Sequence, residues 1–293
     1  MKNYFIIVIA IIIFGTACQK PLEIDYPEQE PALVVNCLFS PDTIFIVKIT
    51  KTQTTSDSTS NQITDATCEM WENNQLLEKL ENNNTNIYQS TILPEIGKTY
   101  TIKVTHKDYK NVSATSCVPE LPQIENLNIT NWYVAIDFFW EQQLSDCQLT
   151  IIDNKNSTDY YKLNFHTESD CSFFRSNDIV LISEELFEYD PSFLYFSDKK
   201  INGQKYNLNF LIPHGIEEPN SDLEIITIAK SLSKEHYLYT KKMLKYSYEN
   251  RVSELSEAIE PVTMYSNIEN GYGIFAGYSQ QIDTTILRTP PIK

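Results

Sequence analysis

The residues of this 293-residue chain with the sharpest chemistry are four histidines and six cysteines. His106, His166, His214 and His236 lie far apart, and none belongs to an HExxH pair, so a zinc hydrolase is not indicated. There is no GxSxG, the nucleophile elbow of serine hydrolases. His166-Thr167-Glu168 matches the first half of a zinc-deaminase signature, but the PCxxC half is missing. Gly271, Gly273 and Gly277 cluster near the end without a GK[ST], so they form no phosphate-cradling loop. The 39 acidic residues are spread along the chain and single out no acid/base pair. No catalytic residue, cofactor or metal-ligand set is expected, and the ligand-binding residues are not legible.

The cysteines speak to address more than to catalysis. Tyr4 to Ala17 is an uncharged run led by Lys2 and ended by Gly15-Thr16-Ala17-Cys18. A membrane-spanning helix needs about 20 apolar residues, so this run is too short. A charged start, a short apolar stretch and small residues before a cut make a secretory signal. Here they lead straight into Cys18, as in a bacterial lipobox, so Cys18 is the expected lipidation site, with residues 1–17 removed. Two or three acyl chains on one residue anchor firmly, at about 0.8 kcal/mol per buried methylene. Residues 18–30 then read as an extended, proline-bearing tether of at most roughly 40 Å.

Of the other five cysteines no pair has CxxC spacing, which disfavours zinc ribbons and thioredoxin-like chemistry. An exported compartment permits disulfides, with Cys147–Cys171 and Cys37–Cys117 as candidate pairs. Cys68 falls in the alternation Ala66, Cys68, Met70 and reads as a small buried hydrophobe.

The elements that position these residues are mainly strands. An apolar content of 42% with 12% aromatics is enough for packed cores, and abundant Tyr, Ile and Thr favour sheet. The formal charge of −16, with no basic block, disfavours nucleic acid as a partner. Residues 31–120 read as an immunoglobulin- or fibronectin-like β-sandwich. Leu33–Phe39 and Ile44–Thr50 flank a Ser40-Pro41-Asp42 turn, and Asn73-Asn74 marks another. In "LPEIGKTYTIKVT", Tyr100 is placed as a corner tyrosine whose hydroxyl reaches back to the preceding turn. "VPELPQIEN" reads as a linker.

Residues 121–293 read as a second, β-rich domain. Tyr161, Leu163 and Phe165 share the buried face of one strand, leaving His166 on the solvated face. A helix near 233–249 has Ser233 as its cap, and the stripe His236, Tyr239, Met243, Tyr246 is expected to pack on a sheet. The aromatic clusters Phe138–Trp140, Phe173-Phe174 and "SFLYFSD" (192–198) are expected to be mostly core, the alternative for 192–198 being a loop with exposed rings able to bind a peptide or sugar. The Gly-rich end reads as a hairpin with a softened final strand, or as a backbone surface shaped for a partner.

In this order, "LVVNCLFSPD", "DATCEMWENN", "GKTYTIKVTHKDY", "ATSCVPELP" and the closing "EPVTMYSNIENGYGIFAGYS" resemble the DUF4249 family of Bacteroidetes outer-membrane lipoproteins. One departure is Cys37, where the family usually has Gly. The resemblance implies a non-enzymatic outer-membrane lipoprotein, held to the membrane by its N-terminal lipid. It further implies an accessory binding role beside a TonB-dependent transporter, on the periplasmic or the surface face. The rival readings are a surface adhesion or scaffolding module and a hydrolase of undetected type.

Overall fold

The structure is a computed structural model that describes residues 30–53, 59–137, 140–167, 175–184, 189, 194–214, 222–253 and 262–288. Cys18, the leader and most of the tether lie outside the described residues, as does Cys171. No described helix is long and apolar enough to cross a membrane.

Seven strands fill residues 31–120: β1 (Leu33–Phe39), β2 (Ile46–Lys51), β3 (Thr67–Glu72), β4 (Gln75–Leu80), β5 (Ile87–Gln89), β6 (Thr99–His106) and β7 (Tyr109–Cys117). Alternation decides their facing. Val35, Cys37 and Phe39 on β1, Cys68 and Met70 on β3, and Tyr100, Ile102 and Val104 on β6 all point into one core. One sheet holds β1, β2 and β5, and the facing sheet has the order β4-β3-β6-β7. Asn73 and Asn74 both take left-handed φ, 48° and 64°, in the β3–β4 turn, where asparagine tolerates that geometry. The Glu95 N–H donates to the Tyr100 hydroxyl at 2.9 Å, which is the tyrosine corner.

The second half supplies β8 (Gln123–Asp137), β9 (Trp140–Ile152), β10 (Tyr160–His166), α1 (Ile179–Ile182), β11 (Leu194–Ser197), β12 (Lys205–His214), β13 (Asp222–Leu232), α2 (Lys234–Ser253) and β14 (Tyr272–Arg288). A three-stranded sheet, β12-β9-β8, faces a sheet of β11, β10, β13 and β14 across a second core containing Leu149, Tyr161, Phe165, Phe196, Phe210 and Ile225. α2 lies on the opposite face of that sheet, where Tyr237 and Leu244 join Tyr195 and Leu232 in a third, smaller core.

The boundary at 120/121 does not divide the strands cleanly, because β14 serves both halves. Its first six residues, Tyr272–Gly277, pair parallel with β1, and Tyr278–Arg288 pair antiparallel with β13. The sandwich therefore takes its outer strand from the end of the chain, and Ile268 and Phe275 sit in its core. The Gly-rich segment is thus not a hairpin. Gly273 has φ +112°, and a Cβ there would lie 2.0 Å from the Val35 carbonyl oxygen. At Gly277 a Cβ would lie 2.2 Å from the Cys117 carbonyl oxygen. The glycines let two backbones approach more closely than any side chain allows. The expected linker is held as well: Gly97 N–H donates to the Val118 carbonyl at 2.8 Å, and Ser279 Oγ donates to the Glu120 carbonyl at 2.9 Å.

One alternative is decided and two further expectations are corrected. Leu194–Ser197 follows the core reading rather than the exposed-loop alternative: it is strand β11, with Tyr195 and Phe196 buried, because each side of this strand meets a core. α2 packs through Tyr237, Thr240 and Leu244, one position out of phase with the expected stripe, leaving Met243 and Tyr246 exposed. Ser233 does cap the helix, accepting from His236 N–H at 3.3 Å. Cys37 and Cys117 are separate thiols, not a bridge. Cys37 points into the sandwich core beside Cys68, and burial pushes its thiol up to about 12. Cys117 is half-buried on β7. Cys147 is buried on β9, its thiol donating to the Ser145 carbonyl at 3.4 Å, and its proposed partner Cys171 lies outside the described residues.

Candidate functional site

The described residues enclose a cleft of about 740 Å³ where β12 meets the segment leading into α1. That segment adds itself to the sheet edge: Arg175 N–H donates to the Leu211 carbonyl at 3.4 Å, and Leu211 N–H returns a bond to Arg175 at 2.7 Å. The turn after it is fixed by two side chains. Ser176 Oγ donates to the Asn209 carbonyl at 2.6 Å and accepts from Asp178 N–H at 2.9 Å. Asp178 is 8% exposed and receives three donors: Val180 N–H at 2.9 Å, Tyr206 O–H at 2.8 Å and Asn209 N–H at 3.0 Å. Burial and the Asp178 carboxylate push the Tyr206 phenol up to about 12, so it stays a donor.

Beside the cleft, the outer face of β9 and β12 carries amides and hydroxyls. Gln148 donates to Asn209 at 3.0 Å, and Thr150 to Asn207 at 2.9 Å. Asp146, opposite Leu211, accepts from Asn131 Nδ2 at 2.9 Å. The lining thus combines one guanidinium, two carboxylates, amides and the apolar patches of Phe210 and Leu211. Such a mixture suits a polar ligand gripped by hydrogen bonds. Sequence reading missed this cleft, whose residues come from β8, β9, β12 and the α1 approach and share no local motif.

One carboxylate group also escaped the sequence reading. Oxygens of Asp153, Asp159 and Asp198 lie within 4.8 Å of one another, an arrangement whose oxygens suit a hard cation. Asp153 accepts from Tyr161 O–H at 2.7 Å and from Gly203 N–H at 2.8 Å, while Asp198 accepts from Asp159 N–H at 2.9 Å. Burial raises Asp159 and Asp198 above the usual carboxylate range. These bonds tie the β9–β10 turn to the end of β11, 39 residues away, which spacing along the chain conceals.

The histidines fall on separate elements. His106 Nε2 lies 2.9 Å from Asp65 Oδ1 at the edge of the sandwich, and that contact holds the Asp65 carboxyl below its usual range. His166 is exposed and pairs with Asn164. His236 is half-buried in the first turn of α2. The His214 side chain lies outside the described residues.

The sequence matches the family profile "Domain of unknown function (DUF4249)" over residues 19–283. The chain belongs to the DUF4249 family. No curated protein matches the sequence of this DUF4249 chain. Among solved structures, it is similar to trypsin-activated alpha-2-macroglobulin from Escherichia coli at 9% identity and a TM-score of 0.24. That match takes in 89% of the DUF4249 chain but only 18% of the macroglobulin. It is also similar to the chicken interferon gamma receptor alpha chain, at 9% identity and a TM-score of 0.23, over 89% of the DUF4249 chain and 98% of the receptor chain. Likenesses this low carry no argument, and the β-sandwich assignment rests on the strand pairing described above.

Proposed function

We propose that this DUF4249 chain is a lipid-anchored binding protein of the bacterial outer membrane. It captures a polar ligand without transforming it and works beside a TonB-dependent transporter. The observation that carries the binding role is the way the cleft's reactive side chains are spent. Ser176 gives its only hydroxyl proton to a backbone carbonyl, and Asp178 accepts three donors. A nucleophile or base must have its lone pair or proton available to substrate, whereas these two are engaged in fixing the turn. Of the other lining groups, Asp146 accepts from Asn131 and the Cys147 thiol donates to the Ser145 carbonyl, while Thr130, Arg175, Asn177 and Asn209 are of the kind that orient a ligand.

The anchor rests on Cys18 following the short apolar leader, and the transporter partnership on what the family resemblance implies. Solubilising membranes in mild detergent and isolating the native lipoprotein tests both. The expected product carries acyl chains on Cys18 and brings an outer-membrane barrel with it. An unacylated Cys18 would remove the anchor, and a lone monomer would remove the partner.

A further inference from the structure

Four strands carry one cross-sheet row beneath the N-terminal turn of α2. Tyr195 on β11 stands opposite Lys162 on β10, Lys162 opposite Lys230 on β13, and Lys230 opposite Gln280 on β14. Two lysines directly opposed on one sheet face repel each other, so their pairing is unfavourable unless something offsets it. Each leans outward onto a ring. Lys162 Nζ lies 5.1 Å from the Tyr195 centroid on the β11 side, and Lys230 Nζ lies 4.4 Å from the Tyr278 centroid on the β14 side. Cation–π contact offsets part of the repulsion.

His236 closes the row from above. Its ring meets Tyr278 edge-on at 5.6 Å, and the Gly277 backbone holds one ring nitrogen. The other, Nδ1, is buried without a hydrogen-bond partner among the described residues. Buried polar nitrogens are nearly always satisfied, so an orphan that feels two ammonium groups asks for a ligand. The charged groups around it are Lys162, Lys230 and, acting on Lys230, Asp42 from the β1–β2 turn. Glu235, its neighbour on α2, is turned away to accept from Ser116 Oγ at 2.8 Å. Lys162, Lys230, His236 and Tyr278 are all half-buried, so the row borders solvent although Nδ1 itself is covered.

We propose that Lys162, Lys230 and His236 form a binding site for a compact oxyanion, the carboxylate or phosphate group of a ligand. Two ammonium groups supply charge-assisted hydrogen bonds. His236 adds a third donor by taking a proton from solvent as the anion enters, so that both ring nitrogens donate. The site is separate from the cleft beside α1 and stands without the role proposed for that cleft.

Full-length lipoprotein in non-ionic detergent, with ¹⁵N-labelled histidine, is titrated with sodium acetate and, in a second arm, with inorganic phosphate. The expected result is a saturable shift of the His236 ring from one protonated nitrogen to two. The stronger-binding anion identifies the source as carboxylate or phosphate. Lys230→Gln and Lys162→Gln should each weaken binding about tenfold, the worth of one charge-assisted bond. The wild-type titration needs no variant to fold. A His236 ring that responds to neither anion, or that stays singly protonated while an anion binds, overturns the site. Binding unchanged in the Lys162→Gln/Lys230→Gln double variant overturns it as well.

Discussion

Replacing Gly273 by alanine tests the reading that β14 completes the sandwich. The residue sits at φ +112°, outside the range that side chains tolerate, and that strain alone amounts to roughly 1–3 kcal/mol. The new Cβ would also lie 2.0 Å from the Val35 carbonyl oxygen and 2.8 Å from its carbon. Carbon and carbonyl oxygen settle no closer than about 3.3 Å, so β14 and β1 must part by more than about 1 Å. No rotamer relieves this, since both sides are backbone. The gap falls at Val35↔Gly273, inside a ladder of six pairs, and loses one or two backbone bonds at about 1 kcal/mol each. The total is roughly 2–5 kcal/mol, which lowers Tm by about 4–20 °C in a unit of this size. Thermal and urea unfolding of the full chain, followed by far-UV circular dichroism, reads both quantities. Gly203→Ala is the control: its φ of +70° is milder, and its Cβ would meet only the Lys155 residue at a surface turn, at 2.9 Å. A Gly273→Ala protein within about 1 kcal/mol of wild type would refute the close β1–β14 approach.

Tyr100→Phe removes the acceptor of Glu95 N–H and should lower stability by about 1–2 kcal/mol in urea unfolding, with the slope unchanged. Leu244→Ala should cost about 2–4 kcal/mol and Met243→Ala well under 1, reversing the order expected from the sequence stripe. In the native protein the Cys37 thiol should resist labelling at pH 8 and react fully in denaturant, because burial holds it protonated. His236 is held down to about 4, from an ordinary 6.5, first by burial and then by the two lysines. The unfolded ring therefore takes its proton first as pH falls, and stability present above pH 6.5 is lost between 6.5 and 4, by about 2–3 kcal/mol. Urea unfolding at pH 7 and pH 4.5 measures the loss, which should shrink in His236→Gln.

What was legible in the sequence is what local spacing encodes. Period-two runs such as Tyr161, Leu163, Phe165 place side chains on a buried face without knowing the partner strand, and all three are buried. Tyr100 was readable because a Pro, a Gly and an alternating strand fall in one short window. The phase of α2 was not, since tyrosines occupy both Tyr237–Leu244 and Tyr239–Tyr246 and only the sheet beneath chooses between them. The pairing of β14 with β1 leaves no local mark, because a parallel ladder joins residues far apart in the chain. The glycines did announce a close approach, but not to what. The cleft and the three carboxylates were hidden for the same reason, each assembled from segments that the fold alone brings together.

That long-range pairing also determines what the lysine–histidine row is attached to. Gly277 is the last residue of β14 to pair with β1, and its α-carbon rests against the Cys117 carbonyl of β7. Its own carbonyl accepts Ser233 N–H at 3.0 Å, which starts α2, and its backbone also holds the His236 ring. Ser233, the cap of α2, and His236 thus both bond to one glycine, while Glu235 bonds to Ser116 on β7. An anion that protonates His236 strengthens the ring's bond to Gly277, because an imidazolium is the better donor. The free energy of binding then acts on the residue where the two cores share a strand, so the oxyanion row and the sandwich are coupled through backbone rather than through a flexible linker.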